Sequence, residues 1–168
     1  MKQLIWMITG LALLAGCSEQ ESPERTGMNI DGAEYLLNEE PEGAGAVIML
    51  RESAKDGDEI LIVGRIGGKS NPWIKGMAAF TIVDPSLTPC NEIPEDDCPE
   101  PWDYCCATDV ALAMVLVKVV DANGQVVETD ARELLDLEEL NTVIAKGTAQ
   151  RDDDGNMTIL ASHLYIKK

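Results

Sequence analysis

With 168 residues, 45% of them hydrophobic, the chain is long enough for one domain around a single buried core and too short for several. It carries 30 Asp and Glu against 13 Lys and Arg, a formal net charge of −17. Nucleic-acid affinity is carried largely by Lys and Arg neutralising phosphates, so polynucleotides and anionic lipid surfaces are not expected partners, while cations and basic proteins remain compatible with such a field.

Met1-Lys2 places one positive charge before an apolar run from Leu4 to Ala15. The run is shorter than the roughly 20 residues of a spanning helix. Its charged start, apolar centre and small residues at the end are the pattern of a secretory signal. Leu14-Ala15-Gly16-Cys17 resembles the lipobox of bacterial lipoproteins. That resemblance implies removal of residues 1–16, lipidation of Cys17 as the new N-terminus, and stable attachment to a membrane by several acyl chains. In that family the residue after the cysteine sorts the product, and Ser18 rather than Asp implies the outer membrane, with the domain facing the periplasm. Residues 17–44, where Glu, Pro, Ser, Gly and Asn are prominent, read as the lipidated N-terminus and a flexible tether. Tyr35-Leu36-Leu37 is its apolar cluster, able to dock on the domain formed by residues 45–168.

Val47, Ile48, Leu50 and Ala54 fit a short helix or a strand, and Asp56-Gly57-Asp58 signals a turn. Glu59 to Gly67 alternates branched residues on both sides and is the first predicted strand, bending or bulging at Gly64 and Gly67. Gly68-Lys69-Ser70 is no phosphate loop: the motif needs a glycine where Val63 stands, and Asn71-Pro72 follows where a helix should begin. Met77 to Val83 and Val110 to Val120 are the second and third predicted strands, after which Asn123-Gly124 turns the chain back through Gln125 to Thr129. Asp130 and Glu133 have the spacing of a capping box and open a short helix that buries Leu134, Leu135 and Leu137 or Leu140. Thr142 to Gln150 and Met157 to Ile166, joined by Asp153-Asp154-Gly155-Asn156, make a closing hairpin. In its second strand the apolar series Met157, Ile159, Ala161 continues to Leu164 and Ile166 only after a slip of one residue, which predicts a bulge near Ser162 that turns His163 and Tyr165 outward.

Three strands, a helix and two strands is the order of the OB-fold, a five-stranded, partly open Greek-key barrel. Gly64-Arg65-Ile66, Phe80-x-Ile82-x-Asp84, Val143-Ile144-Ala145-Lys146-Gly147 and Gly155-Asn156-Met157-x-Ile159-x-Ala161 resemble OB-fold proteins of the exported bacterial and tRNA-anticodon-binding kinds, over about residues 57–168. The expected architecture is all-β with small α content: an OB-like barrel over residues 45–168, interrupted between its second and third strands by a cysteine-rich insert, residues 85–109. One fold carries many functions, so the activity stays open.

The insert contains Cys90, Cys98, Cys105 and Cys106, and no Lys or Arg occurs between Lys75 and Lys118. Four thiols in an exported domain most often form two disulfides. Three connectivities exist; a vicinal Cys105–Cys106 bond is strained, so both are expected to pair with Cys90 and Cys98, in either order. Closing a loop of about 15 residues is worth about 3 kcal/mol in the chain-entropy model. The alternatives are a four-thiolate metal site, against which the spacing argues because zinc sites usually use Cys-x2-Cys knuckles, and a redox-active thiol. Neither a metal nor a cofactor is expected. Pro101-Trp102-Asp103-Tyr104 and Asn71-Pro72-Trp73 set aromatics on Pro-containing loops beside the strands through which OB-folds bind ligands. Trp73, Trp102, Asp103 and Tyr104 are therefore candidate ligand-binding residues, unless Trp73 and Trp102 fold inward and plug the barrel ends.

His163 is the single histidine, so no Ser-His-Asp spacing can be argued. Glu95, Asp96 and Asp97 sit in a solvated acidic loop with no cause for raised pKa values, and Asp152–Asn156 fails the spacing of a calcium loop, with Ala161 at the twelfth position. Catalysis is not expected. Leu160-Ala161-Ser162-His163-Leu164-Tyr165 is similar in part to the OB-fold haem chaperones of cytochrome c maturation, which carry haem on a histidine with a tyrosine four residues later; here Tyr165 follows after two. The expected function is a non-catalytic binding or structural module of the cell envelope that recognises an envelope protein or small ligand through the insert. Metal or haem handling and thiol redox chemistry are the alternatives.

Overall fold

Alternating branched residues from Glu59 to Ile66 build the strand on which the sheet turns. In the computed structural model, which describes residues 30–95 and 97–167, every second side of this strand is buried: Ile62, Gly64 and Ile66 face inward. The residues read as an export signal, Cys17 and the start of the expected tether lie outside the described residues, as does Asp96.

The chain enters through a short strand, β1 (Gly45–Ala46), and a seven-residue helix, α1 (Val47–Ser53). β1 lies parallel to β2 (Glu59–Ile66) at Ile62 and Val63. Further along the same edge, Arg65 and Ile66 pair antiparallel with β3 (Ala79–Val83), which in turn pairs antiparallel with β4 (Met114–Val119). After a five-residue helix, α2 (Ala131–Leu135), come β5 (Thr142–Arg151) and β6 (Met157–Ile166). β6 runs parallel to β4 and antiparallel to β5, and β5 pairs with the opposite edge of β2 from Glu59↔Thr148 to Arg65↔Thr142. The protein is mostly β: one mixed sheet in the order β1-β2-β3-β4-β6-β5, with the further β2–β5 pairing, and few helices.

Ile62, Phe80, Ile82, Val117, Ile159 and Leu164 anchor the core and are fully buried. Each such side chain contributes about 1.5–3 kcal/mol when removed from water. The packed chain begins before residue 45. Gly32–Tyr35 is a 3-10 turn capped by Asp31, whose carboxylate accepts from the Ala33 N–H; Tyr35 is buried, and the Leu37 N–H donates to the Leu164 carbonyl at 2.8 Å. The docking expected of Tyr35-Leu36-Leu37 is thus made, and residues 30–44, read as the distal part of a tether, lie against the domain.

Three local differences from expectation have physical causes. The third strand starts at Met114, not Val110, because Val110–Leu112 is a 3-10 turn entered through Asp109 with φ of +59°. The return through Gln125 to Thr129 is reduced to a single bridge, Val120↔Val126. At α2 the Asp130 side chain does accept from the backbone, at Arg132, but its second partner is the Arg132 guanidinium, held by two bonds of 2.9 Å, and Glu133 stays exposed. The bulge lies where the apolar slip places it. Lys146 faces His163 and Gly147 faces Ala161, so Ser162 is the extra residue; Ala161 and Leu164 are buried, while His163 and Tyr165 are only half-buried.

α1 has no side-chain cap of its own at Ala46. It is held at both ends by the sheet. Asp84, just past β3, accepts from the Ile48 N–H at 2.8 Å, and Arg151 at the end of β5 donates to the carbonyls of Arg51 and Ala54, which the helix leaves without intrahelical partners.

Candidate functional site: the cysteine segment

Residues 84–113 leave the sheet at the end of β3 and return at β4. The base is closed by the Asp84 N–H donating to the Ala113 carbonyl at 2.8 Å. Higher up, the Cys90 N–H donates to the Asp103 carbonyl and the Asn91 N–H to the Pro101 carbonyl, at 3.0 and 3.1 Å, so the outgoing limb is clasped to the returning one. Cys90–Glu92 forms a 3-10 turn, and the Ala107 N–H donates to the Tyr104 carbonyl to turn the chain at Cys105 and Cys106.

The segment is also fastened to the loop between β2 and β3. The Gly68 N–H donates to the Trp102 carbonyl at 3.2 Å, and the Trp102 indole N–H donates to the Ser70 carbonyl at 3.1 Å. A side-chain carbon on Gly67 would run into the Trp102 carbonyl, so glycine is required by this close approach. Arg65 and Glu92 add an ion pair of 2.7 Å, but the side chains are 25% and 50% exposed, and such pairs contribute about 0–1 kcal/mol. From beneath, the Thr81 hydroxyl donates to the Gly67 carbonyl at 2.7 Å. All five residues of β3 are buried, Phe80 and Ile82 toward the core, with Thr81 and Val83 set against Gly67 and Gly68.

The four sulfurs gather at the clasp. Cys105 Sγ lies 3.5 Å from Cys90 Sγ, 3.9 Å from Cys98 Sγ and 3.9 Å from Cys106 Sγ. Cys90, Cys105 and Cys106 all lie within 4.8 Å of one another, with Cys90 buried and the other two exposed. The Cys105 thiol is pushed up to about 11, first by its contact with Cys90 and further by Cys106, so at neutral pH it keeps its proton unless a cation displaces it. Two disulfides would need two separate sulfur pairs at about 2.05 Å; the sulfurs instead stand at contact distance around Cys105.

The four candidate aromatic and acidic residues divide. Tyr104 is 1% exposed, its hydroxyl is buried with no hydrogen-bond partner among the described residues, and burial raises its pKa. Trp73 is 5% exposed. Its indole N–H donates to Glu139 at 2.5 Å, its ring centroid lies 5.8 Å from that of Phe80, and the Arg132 guanidinium stacks 5.4 Å from it. Trp73 therefore plugs the sheet under α2 and its following loop, as the inward alternative has it. Trp102 and Asp103 are half-buried and are brought together with Tyr104 and the glycine loop. Sequence reasoning read Gly67 as a bend and Gly68 as part of a rejected phosphate loop, and assigned neither these nor Arg65 and Glu92 to the site; the paired glycines after a strand are the signal that could have placed them there. A second surface lies between α1 and the return limb, a groove lined by Ile48, Leu87 and Leu112 and bordered by Arg51, Glu52 and Asp109. Leu112 is 64% exposed. His163 Nδ1 lies 3.0 Å from its neighbour's Ser162 Oγ on the exposed side of the bulge.

In comparisons with known proteins, no family model matches this chain and no curated protein matches it.

Proposed function

We propose that the chain is a lipid-anchored, non-catalytic binding or structural module of the cell envelope, built on an OB-like barrel and recognising a protein through the braced cysteine segment and the groove beside it. The barrel reading is supported by the pairings, which run β2-β3-β4-β6-β5 and return to β2, and by the parallel β4–β6 pair within them. The observation that carries the binding reading is the bracing itself. A 30-residue excursion would cost conformational entropy at every residue if merely tolerated, yet this one is clasped to itself and to the β2–β3 loop, and it leaves Leu112 and Ile48 exposed along a groove with charged borders. Exposed apolar residues rimmed by polar ones are the composition of interaction sites. The usual OB ligand face on β3 is filled by the protein's own loop, which directs recognition to the outer surface of the segment.

Two measurements test this. Cys17→Ala should move the protein from the membrane fraction to the soluble one; retention in the membrane would sink the anchoring reading. With a photo-crosslinker at position 48 of the membrane-anchored chain, a discrete adduct is expected that Leu112→Asp removes. An adduct unaffected by Leu112→Asp, or none, overturns recognition through the groove.

A further inference from the structure

We propose that Cys90, Cys98, Cys105 and Cys106 together hold one thiophilic divalent cation, zinc, as a closed tetrathiolate site that ties the two limbs of the segment. The argument starts with spacing. Zinc binds thiolate at about 2.3 Å in a tetrahedron, whose edges are then about 3.8 Å. The three sulfur contacts of Cys105, at 3.5, 3.9 and 3.9 Å, have that length; Cys90, Cys105 and Cys106 already lie within 4.8 Å of one another, and Cys98, which meets Cys105, closes on the ion as the fourth ligand.

The pattern of contacts points the same way. Disulfides divide four cysteines into two exclusive pairs, and any such division uses one contact of Cys105 and discards the other two. A single ion uses all three at once. It also turns adjacency into an advantage: Cys105 and Cys106, which form only a strained bond with each other, sit on one turn and can both face a common point. Irregular spacing in the sequence is no obstacle, because the Cys90–Asp103 and Asn91–Pro101 backbone bonds bring the limbs together independently of any knuckle.

The segment needs such a tie. Within residues 85–109 only Pro89, Cys90 and Tyr104 are buried among the described residues, too little to form an apolar core. Metal binding free energy becomes folding free energy in segments of this kind. The surroundings suit a cation: Glu92, Glu95, Asp97, Glu100 and Asp103 lie on the same stretch, and no Lys or Arg occurs between Lys75 and Lys118. On binding, each thiol gives its proton to solvent as its sulfur takes the ion, and once Cys98 joins Cys90, Cys105 and Cys106 on the ion no position is left for a reacting water. The role is structural, and it does not depend on the partner proposed above.

The test uses the full chain purified from zinc-replete medium without reductant. Native mass spectrometry and metal analysis should find one zinc per chain, and exchange into Co2+ should give the intense charge-transfer and ligand-field bands of tetrahedral cobalt thiolate. Cys105→Ser should weaken metal binding by more than the roughly 10–100-fold that loss of an outer-shell partner costs, with the far-ultraviolet circular dichroism of the sheet retained. Cys98→Ser, at the half-buried ligand, is the second variant, and should the variants fail to fold, the charge-transfer intensity of the native chain still counts its thiolates. A metal-free chain lighter by the hydrogens of two disulfides overturns the proposal. So does a metal-free chain whose cysteines all alkylate at once, or zinc retained undiminished in Cys105→Ser.

Discussion

Asp84 shows how one side chain can serve two elements. It is 3% exposed, and burial alone would raise its pKa, but bonds from the Ile48 N–H, the Ser86 hydroxyl and the Ser86 N–H outweigh that and hold the carboxyl below its usual value. A depressed folded pKa contributes stability that is present above the unfolded value, about 3.9, and is lost as pH falls through the folded value. Asp84→Asn should therefore lower the unfolding free energy at pH 7 by about 1–3 kcal/mol, with the gap from the native chain shrinking below pH about 4; urea titrations at pH 7 and 3 read both. An equal gap at the two pH values would assign the effect to shape and not to charge. In the sequence Asp84 is legible only as the residue that ends a strand pattern. Its partner lies 36 positions earlier, and no local rule connects a strand end to a helix that lacks its own cap. Trp73 was ambiguous for a similar reason, because a Pro-flanked aromatic looks the same in sequence whether it points out or in, and Tyr104, expected at a ligand surface, is buried instead; what decides is the presence of Glu139, Arg132 and the glycine loop against which the rings pack.

At the scale of elements, the last hairpin was the most legible part of the chain and the third strand the least. β6 spans the residues that its alternation marks, and the bulge at Ser162 follows from a slip that is written in the order of apolar residues. Val110-Ala111-Leu112 has the same apolar character as a strand start, but the chain there is still rising out of the excursion, and pairing becomes possible only when Ala113 meets Asp84. The bulge carries its own prediction. Gly147 sits opposite the extra residue, and a side-chain carbon there would meet the Leu160 carbonyl oxygen and the backbone of Ala161. In an ordinary strand Gly→Ala gains about 0.5–1 kcal/mol. Here Gly147→Ala should cost about 1–3 kcal/mol, as overpacking does, seen as a lower midpoint in chemical denaturation. A stabilised variant would show that β5 and β6 can separate at the bulge without penalty.

Across the whole molecule, a net charge of −17 over the 168-residue chain means that folding works against self-repulsion. Raising salt from about 10 mM to about 150 mM shortens the screening length from about 30 to about 8 Å, so the melting temperature should rise by several degrees over that range with sodium chloride. A melting temperature that is flat or falling with salt would mean that the acidic groups are already neutralised by bound cations or paired in ways that salt weakens. The mostly-β character, the order of the strands and their alternation were legible because each rests on neighbours in sequence. The fastening of the cysteine segment to Gly68 and Ser70 was not, since it depends on two excursions from opposite ends of β3 meeting over its outer face.

The double pairing of β2 also sets a clock. One edge of β2 finds β3 soon after it is made, but the longer edge, Glu59 to Arg65, waits for Thr142 to Thr148 near the end of the chain. Pairings so distant in sequence must meet their loop-closure entropy before any contact rewards them, which makes folding slow. Until β5 arrives, the nascent protein carries an open strand edge and unburied branched side chains. That lag keeps the sheet from closing until its last hairpin has been made.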